Sequence, residues 1–290
     1  MISKQSLQAY FELTKPRVTL LVLITTAVGF YMGSPASLSW IRLALVLIGT
    51  ALVAGGTSAL NQYLELDIDA RMRRTRNRPL PSKRLAPAHA LVFGTVVSLA
   101  GVISLGVWLN WLTALLALIT LVTYVFLYTP LKQKSTISTL VGAVPGALPP
   151  VGGWTAARGE LTLEAWLLFA ILFFWQLPHF LAIAWVYRED YARGGIKVLP
   201  LSEDHGDATI RQILLNCFLL LLISLMPTIL GVTGNIYLLA ALLLGLFFLA
   251  SGIQMSLRRT NRYAKRLLFA SIIYLPLLLM FMVLNKAPIP

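Results

Sequence analysis

Cysteine and histidine are scarce in this sequence, and two common nucleotide-binding motifs are absent. Of its 290 residues only one is a cysteine, Cys217, and it lies in an apolar run. No disulfide can therefore form within the chain, and a metal site built on several thiolates is excluded. The three histidines, His89, His179 and His205, are too far apart for the ligand spacing of a zinc site. There is no Walker A sequence and no GxGxxG motif, so nucleotide binding by those loops is unsupported.

Charged residues are also scarce, at 12% of the chain, whereas hydrophobic residues make up 58%. Apolar runs of about twenty residues, the length that crosses a bilayer, recur along the whole chain. This composition fits no soluble globular class and predicts an all-α, polytopic membrane helix bundle. The first apolar run is predicted to be retained as a span. We predict one domain, residues 1–290, with nine spans at about 16–34, 40–66, 88–109, 111–129, 137–156, 163–187, 210–232, 235–256 and 264–285.

The basic residues predict the orientation of this bundle. The net charge is +13, and the chain contains 24 lysines and arginines. All of them except Arg42, Arg158 and Lys286 fall in one alternating set of termini and connections between the predicted spans. Such a bias predicts an amino terminus in the cytoplasm and a carboxyl terminus outside. Because orientation accounts for the basicity, the charge gives no reason to infer a nucleic-acid partner.

The densest group of charges lies between Asn61 and Pro87, where the second predicted span ends. On a helix Asn61, Glu65 and Asp69 are four residues apart and share one face, whereas Asp67 points elsewhere. Oxygen ligands suit Mg²⁺, and the guanidinium groups of the following loop suit a diphosphate. A helix end followed by a cytoplasmic basic loop is the simpler interpretation, but it explains the arginines and not the acids.

Two further stretches carry charged groups at the predicted cytoplasmic ends of spans. The sixth span ends in Glu189 and Asp190, which either complete a metal and diphosphate site or form a solvated helix end. After the fourth span, Lys132 either binds a diphosphate or adds to the cytoplasmic charge, and for Lys134 the second interpretation is favoured. Within the sixth span, His179 is either a functional polar group or a structural histidine.

The fifth and sixth predicted spans contain two unusual runs. The fifth span is rich in glycine and proline, at Gly142, Pro145, Gly146, Pro149 and Pro150. This density predicts a kinked helix whose backbone another group can approach closely. The aromatic run 173–175 could shield a carbocation through its ring faces, although packing is the more common role of such a run.

Together these stretches resemble the UbiA superfamily of intramembrane prenyltransferases, and within it the branch that farnesylates haem. The segments that carry the resemblance are KPRVT, NQYLELDIDARMRRTRNRPLP, YTPLK with GAVPGALPPVGGW, and WQLPHFLAIAW followed by REDY and KVLP. The superfamily has an asparagine and two aspartates at four-residue spacing, which correspond here to Asn61, Glu65 and Asp69. Its second aspartate pair corresponds to Tyr187 and Tyr191.

The resemblance implies transfer of a farnesyl group from farnesyl diphosphate to a vinyl group of haem b, with addition of water, giving haem O and diphosphate. Mg²⁺ is the implied cofactor, the bilayer of a bacterial inner membrane is the implied location, and a haem A synthase is a candidate partner. Taken with the residue patterns, the resemblance predicts a site with Asn61, Glu65 and Asp69 as catalytic metal ligands, Arg74, Arg78 and Lys132 for the diphosphate, and His179 for the porphyrin. Asp190, one position away from the superfamily's second pair, is predicted from its own helix end as a further metal ligand.

The sequence is also compatible with two other functions. A prenyltransferase of the same fold could use an aromatic quinone precursor as the acceptor, although Glu65 with Asp67 and the region of His179 favour haem. A transporter is also compatible with polar residues in broken helices. Against a transporter, the acids and the basic groups gather at one face of the predicted membrane domain instead of at its midplane.

Overall fold

Long helices joined by short connections make up the chain in this computed structural model, which describes residues 4–35 and 37–287. Within those ranges no β-strand forms, and Thr233 and Lys286 make one isolated antiparallel bridge. A π-helical turn, Thr123–Tyr128, and a 3₁₀ turn, Leu199–Leu201, interrupt the α-helical pattern. The α-helices are α1 (Lys4–Leu13), α2 (Pro16–Gly33), α3 (Trp40–Leu64), α4 (Leu66–Arg71), α5 (Pro87–Trp108), α6 (Trp111–Val122), α7 (Thr129–Leu131), α8 (Ser138–Arg158), α9 (Leu163–Val186), α10 (Arg188–Gly194), α11 (Asp207–Ile229), α12 (Asn235–Arg258) and α13 (Asn261–Leu284).

Among the described residues, 8 helical stretches are long and apolar enough to cross a membrane. They are α2, α3, α5, the stretch Trp111–Leu131, α9, α11, α12 and α13, and their bounds lie within a few residues of the predicted spans. The fifth predicted span coincides with α8, which has 21 residues and contains Pro145, Pro149 and Pro150. Its prolines, glycines and small residues lower its hydropathy, so α8 is not one of the 8. The all-helical membrane fold is confirmed, and the count of nine spans stays a prediction.

Helix α8 packs against α2, α6 and α9. Its contact with α2 is close enough to exclude side chains from both backbones. A Cβ atom at Gly29 would lie 1.9 Å from the carbonyl oxygen of Pro150, and one at Gly153 would lie 2.0 Å from that of Thr26. Small residues allow such close approach of helices in a membrane. The close approach to the α8 backbone that the sequence predicts is therefore made here by a helix of the same chain.

Apolar side chains both fill the bundle and cover it. The largest buried cluster joins α8, α9 and α11 to α13 and includes Trp154, Phe248 and Tyr274. Phe173, Phe174 and Trp175 are partly buried against this cluster, which agrees with the packing interpretation of the aromatic run. Other large apolar side chains face outwards, and Val107 and Leu257 are each 76% exposed. An apolar exterior of this kind suits a hydrocarbon environment.

Two long helices end in the same way at one end of the bundle. Glu65 (φ −97°, ψ 12°) separates α3 from α4, and Tyr187 (φ −105°, ψ 20°) separates α9 from α10. After each junction the chain continues as a short helix, α4 in the first case and α10 in the second. The two short helices pack together, since a Cβ atom at Gly194 of α10 would lie 3.0 Å from Cγ of Met72, just after α4. The fold thereby brings the second and sixth predicted spans to a common site.

Candidate active site

Three polar residues of the segment formed by α3 and α4 point into the protein. Asn61, Glu65 and Asp69 are 1%, 4% and 0% exposed. The backbone N–H of Glu65 donates to the Asn61 carbonyl at 3.0 Å, and that of Asp69 donates to the Glu65 carbonyl at 2.8 Å. These bonds continue the helical pattern across the junction, so the three side chains share a face as predicted. Asp67 is exposed, also as predicted.

Two ion pairs hold the buried carboxylates. Lys132 Nζ donates to Glu65 Oε1 at 2.6 Å, and Arg78 Nη1 donates to Asp69 Oδ2 at 2.6 Å. Burial opposes ionisation of Glu65, but the positive charges of Lys132 and Lys15 outweigh it and lower the pKa of that carboxyl. At Asp69 burial prevails over the attraction of Arg78 and raises the pKa. Glu65 is therefore held as an anion, and Asp69 ionises less readily.

A third cation, Lys15, belongs to the same group and was missed by the sequence analysis. It immediately precedes α2, and its Nζ donates to Asn61 Oδ1 at 2.8 Å. Asn61 Nδ2 in turn donates to Thr129 Oγ1 at 3.1 Å. Burial, reinforced by the nearby charge of Arg78, lowers the pKa of Lys15 to about 7. The KPRVT segment contains Lys15, but a lysine before a first span is equally typical of an orientation signal.

Lys132 is held in place by contacts with residues that precede it and follow it in the sequence. The π-helical turn and α7 precede Lys132, and π-helical turns are frequent at functional sites. Its Nζ lies 4.3 Å from the ring centre of Tyr128. Its carbonyl oxygen accepts a hydrogen bond of 2.8 Å from the backbone N–H of Lys197, which follows α10. The three stretches that the sequence analysis singled out therefore meet here.

A cavity of about 270 Å³ opens beside these residues. Lys15, Arg74 and Arg78 contribute three cations to its wall, Gln62 contributes an amide, and Glu12 contributes a carboxylate that is paired with Arg84. Of the predicted diphosphate ligands, Arg74 and Arg78 therefore line one cavity, whereas Lys132 lies beside it, paired with Glu65. Three cations around one cavity suit a polyanionic ligand such as a diphosphate.

Two buried oxygen atoms at this site have no hydrogen-bond partner in the part of the chain that the structure describes. They are Asp69 Oδ1 and Gln62 Oε1. Gln62 was missed by the sequence analysis, and its amide nitrogen donates to the Leu13 carbonyl at 2.9 Å. Unpaired buried acceptors are costly, and hard oxygens are the ligands that Mg²⁺ prefers. Within residues 4–35 and 37–287 no three His, Cys, Asp or Glu side chains form a metal-binding group, so an ion at this site would be held by amide and carboxylate oxygens together.

Asp190 lies apart from these acids and binds the loop after α4. Its Oδ1 accepts hydrogen bonds from the backbone N–H of Arg73 at 2.9 Å and from Arg193 at 2.8 Å. Its Oδ2 accepts one from the backbone N–H of Arg74 at 3.1 Å. Burial would raise the pKa of Asp190, but these bonds outweigh it and lower the pKa. Its role as a metal ligand stays a prediction, and the neighbouring Glu189 is exposed.

The side chain of Arg74 lies against two aromatic rings. Its guanidinium carbon is 5.6 Å from the ring centre of Tyr187 and 5.8 Å from that of Tyr191. Both distances are within the range of a cation–π contact. In the sequence these tyrosines stand out only as departures from the superfamily pattern, because their contact with Arg74 crosses more than one hundred residues of chain.

His179 is held on the side of α9 that faces α13. Its Nδ1 lies 2.7 Å from Ser271 Oγ, whose own proton is donated to the Leu268 carbonyl at 2.6 Å. With the hydroxyl proton donated to the Leu268 carbonyl, the matching imidazole tautomer carries its proton on Nδ1 and keeps the lone pair on Nε2. The ring of Trp175 stacks on the imidazole with 4.9 Å between ring centres. The porphyrin contact predicted for His179 stays a prediction.

Comparison with known proteins identifies a matching family and several relatives of this chain. Residues 22–283 match the model of the UbiA prenyltransferase family. A protein named protoheme IX farnesyltransferase from Solibacter usitatus (strain Ellin6076) is 48% identical, with 96% of this chain and 98% of the relative covered. Another protein of that name, from Koribacter versatilis (strain Ellin345), is 47% identical, with 97% and 94% covered.

Two solved structures share the fold at low sequence identity. One, described as giving insights into digeranylgeranylglyceryl phosphate synthase in membranes, has a TM-score of 0.83 at 17% identity and covers 96% of this chain and 98% of its own. The other, a UbiA homologue from Archaeoglobus fulgidus bound to GPP and Mg²⁺, has a TM-score of 0.69 at 14% identity and covers 94% and 99%. Both likenesses support the helical architecture.

Proposed function

This chain belongs to the UbiA prenyltransferase family, and we propose that it transfers a farnesyl group from farnesyl diphosphate to a vinyl side chain of haem b. Water adds in the same overall reaction, which gives haem O and diphosphate. The observation that carries the donor half is the group of Asn61, Glu65 and Asp69, buried beside a cavity lined by cations. The acceptor half is supported by the two bacterial relatives, both named protoheme IX farnesyltransferase.

In this proposal Arg74, Arg78 and Lys132 bind the diphosphate oxygens. Arginine presents several N–H donors in a planar fork that matches phosphate oxygens, and Lys132 adds a compact charge. Mg²⁺, held by Asn61, Glu65 and Asp69, would supply neutralisation of charge on the leaving group. Use of a divalent ion is supported by the Archaeoglobus fulgidus homologue, which was solved with GPP and Mg²⁺.

The side chains then stabilise charge that develops as the donor reacts. The bond between the allylic carbon and the diphosphate oxygen breaks, and its electron pair leaves with the diphosphate. Fixed cations at that oxygen are worth more in a buried site than in water. The haem vinyl group supplies the electrons for the new carbon–carbon bond. Water adds to the cation that remains on the former vinyl carbon, and one proton is released.

We also propose that His179 contacts the porphyrin. The hydrogen bond to Ser271 leaves Nε2 with a lone pair, which is the form of imidazole that binds iron or accepts a proton. Trp175, stacked on the imidazole, keeps the ring in one orientation. An aromatic quinone precursor is the alternative acceptor, and it has no iron that such an imidazole could bind.

The chain is a multi-pass membrane protein, and we propose that it lies in a bacterial inner membrane. The distribution of basic residues supports a cytoplasmic amino terminus, a site that opens to the cytoplasm and a carboxyl terminus on the periplasmic side. Farnesyl diphosphate would then enter from the cytoplasm. A haem A synthase remains the candidate partner that would take up the product.

The experiment that tests the function is incubation of the membrane-reconstituted protein with haem b, farnesyl diphosphate and Mg²⁺, with and without a chelator. Chromatography and mass analysis are expected to find a chelator-sensitive product that is heavier than haem b by a farnesyl group and water. Prenylation of an aromatic acid without any haem product would overturn the acceptor. Absence of metal-dependent diphosphate release with every acceptor would overturn the transferase proposal and favour a transporter.

A further inference from the structure

The α3–α4 and α9–α10 junctions have the same backbone geometry but different side chains, carboxylates at the first and tyrosines at the second. The N–H of Tyr187 donates to the Ile183 carbonyl at 2.9 Å, and that of Tyr191 donates to the Tyr187 carbonyl at 3.0 Å. Glu65 and Asp69 make the equivalent two bonds at the other junction. Tyr187 therefore occupies the position in α9–α10 that Glu65 occupies in α3–α4, and Tyr191 corresponds to Asp69.

The cations bound at the two junctions differ in how far their charge is compensated. Arg78 and Lys132 are each paired with a carboxylate at 2.6 Å. Arg74 has no carboxylate partner among the described residues, and its guanidinium lies on two tyrosine rings instead. An aromatic face attracts a cation through its quadrupole but carries no net charge. Arg74 therefore contributes an uncompensated positive charge to the cavity that it lines.

The backbone of Arg74 is fixed by the same short helix. Asp190 accepts hydrogen bonds from the N–H groups of Arg73 and Arg74, and Arg193 balances the carboxylate charge. Tyr187, Asp190 and Tyr191 are three and four residues apart, so they present one face of α10 to the loop. An apolar cluster anchors α10 beneath this face; it consists of Ile68, Met72, Ala184, Ile196 and Val198, with Tyr191 packed against it.

We propose that Tyr187 and Tyr191 are positioning residues that hold Arg74 as an uncompensated cation facing the diphosphate of the prenyl donor, while Asp190 fixes the backbone of Arg74. The proposal rests on the proposed function in one respect, that the cavity accepts a diphosphate. An aspartate at either tyrosine position would neutralise Arg74 or require a second metal ion. The rings hold the guanidinium in place without reducing its charge.

The test measures binding of inorganic diphosphate to the purified protein at fixed Mg²⁺. Replacing both rings, Tyr187→Leu with Tyr191→Leu, is expected to weaken binding about three- to tenfold, the range of a partly exposed cation–π contact. Tyr187→Phe with Tyr191→Phe keeps both ring faces and is the matched control, expected to bind as the parent protein does. Should the double leucine variant not fold, Tyr187→Leu alone replaces it, because Tyr187 is 42% exposed.

A double-mutant cycle separates positioning from a general structural effect. Arg74→Ala is expected to weaken diphosphate binding by itself, and the leucine changes should then have no further effect, because the group that they position is gone. Equal weakening by the leucine changes with and without Arg74 would overturn the proposal. Loss of binding in the phenylalanine variant would also overturn it, since hydroxyl groups would then be responsible.

Failure of the proposed function and failure of the positioning proposal give different results. A parent protein that binds inorganic diphosphate but forms no prenylated product overturns the transferase proposal, and the ring effect can still be measured by binding. A parent protein that forms the haem product, but whose leucine variants have an unchanged KM for farnesyl diphosphate and unchanged diphosphate binding, overturns only the positioning proposal.

Discussion

The α3–α4 and α9–α10 junctions show how one backbone geometry supports two electrostatic solutions. Glu65 and Tyr187 have nearly the same backbone angles, and each is followed by a short helix. At the first junction buried carboxylates pair with cations, Glu65 with the distant Lys132 and Asp69 with Arg78 of the following loop. At the second junction exposed or partly buried rings hold a cation without cancelling its charge. The backbone sets where a side chain points, and the side chain decides whether a bound cation stays available to a ligand.

Burial separates the roles of the two junctions. Asp69 is fully buried and has one oxygen without a hydrogen-bond partner among the described residues, which is the condition expected of a group that binds an ion or substrate. Tyr187 is 42% exposed, and Asp190 has three donors around its carboxylate. We therefore expect the first junction to act on the reacting groups and the second to orient Arg74. Substitutions of the same kind at both junctions can test this difference.

The largest effect is expected from Asp69→Asn. The amide keeps the shape of the side chain but removes the charge that faces the predicted metal, so farnesyl transfer should fall at least about 1000-fold. The measurement is turnover of the reconstituted variant, with insertion checked by its yield in membranes. Asp67→Asn, at an exposed neighbouring position, is the matched control and should retain activity. Near-normal farnesyl transfer by Asp69→Asn would contradict the expectation that the first junction acts on the reacting groups.

A smaller effect, on stability, is expected from Lys132→Met. Glu65 would lose its partner while remaining buried, and an uncompensated buried charge costs about 3–5 kcal/mol. The free energy of unfolding in detergent should fall accordingly, and the KM for farnesyl diphosphate should rise. Lys134→Met removes an exposed charge two residues away, so it should change stability by less than about 0.5 kcal/mol. Equal stability of the two variants would contradict the importance of the buried pair.

The smallest effect is expected from Asp190→Asn. The single amide oxygen can still accept from the loop, but the charge-assisted contact with Arg193 is weakened, so the KM for farnesyl diphosphate should rise about threefold, within the range of one ordinary net hydrogen bond. The Mg²⁺ concentration for half-maximal activity should not change, and Glu189→Gln is the exposed control. An increased requirement for Mg²⁺ would instead favour Asp190 as a metal ligand and make the junctions alike.

Much of the fold could be predicted because membrane helices are encoded locally. Apolar runs of sufficient length gave bounds for α2 and α13 that lie within three residues of those in the structure. Helix α8, predicted as a span at 137–156 and found at Ser138–Arg158, is the informative case. It is a long helix inside the bundle whose glycines allow the close contact with α2, and the same residues weaken the apolar signal by which spans are recognised.

The site could be predicted only in part. The shared face of Asn61, Glu65 and Asp69 follows from four-residue spacing, since helical periodicity is a property of neighbouring residues. Lys15 and Gln62 carried no comparable signal. A single lysine before a span and a glutamine within one each have common alternative explanations, and the position of the Gln62 oxygen depends on the hydrogen bond between its amide nitrogen and Leu13.

By itself the sequence determined the membrane helices, the face that carries the acids, the basic loop and, through its motifs, the family. Tertiary structure alone decided that Lys132 pairs with Glu65 and that Lys15 binds Asn61, since the first two residues lie 67 apart in the sequence and the second two lie 46 apart. It also decided that Arg74 lies between Tyr187 and Tyr191. The physical reason is that periodicity is set by each residue's near neighbours, whereas a charge pair depends on how helices distant in sequence pack together.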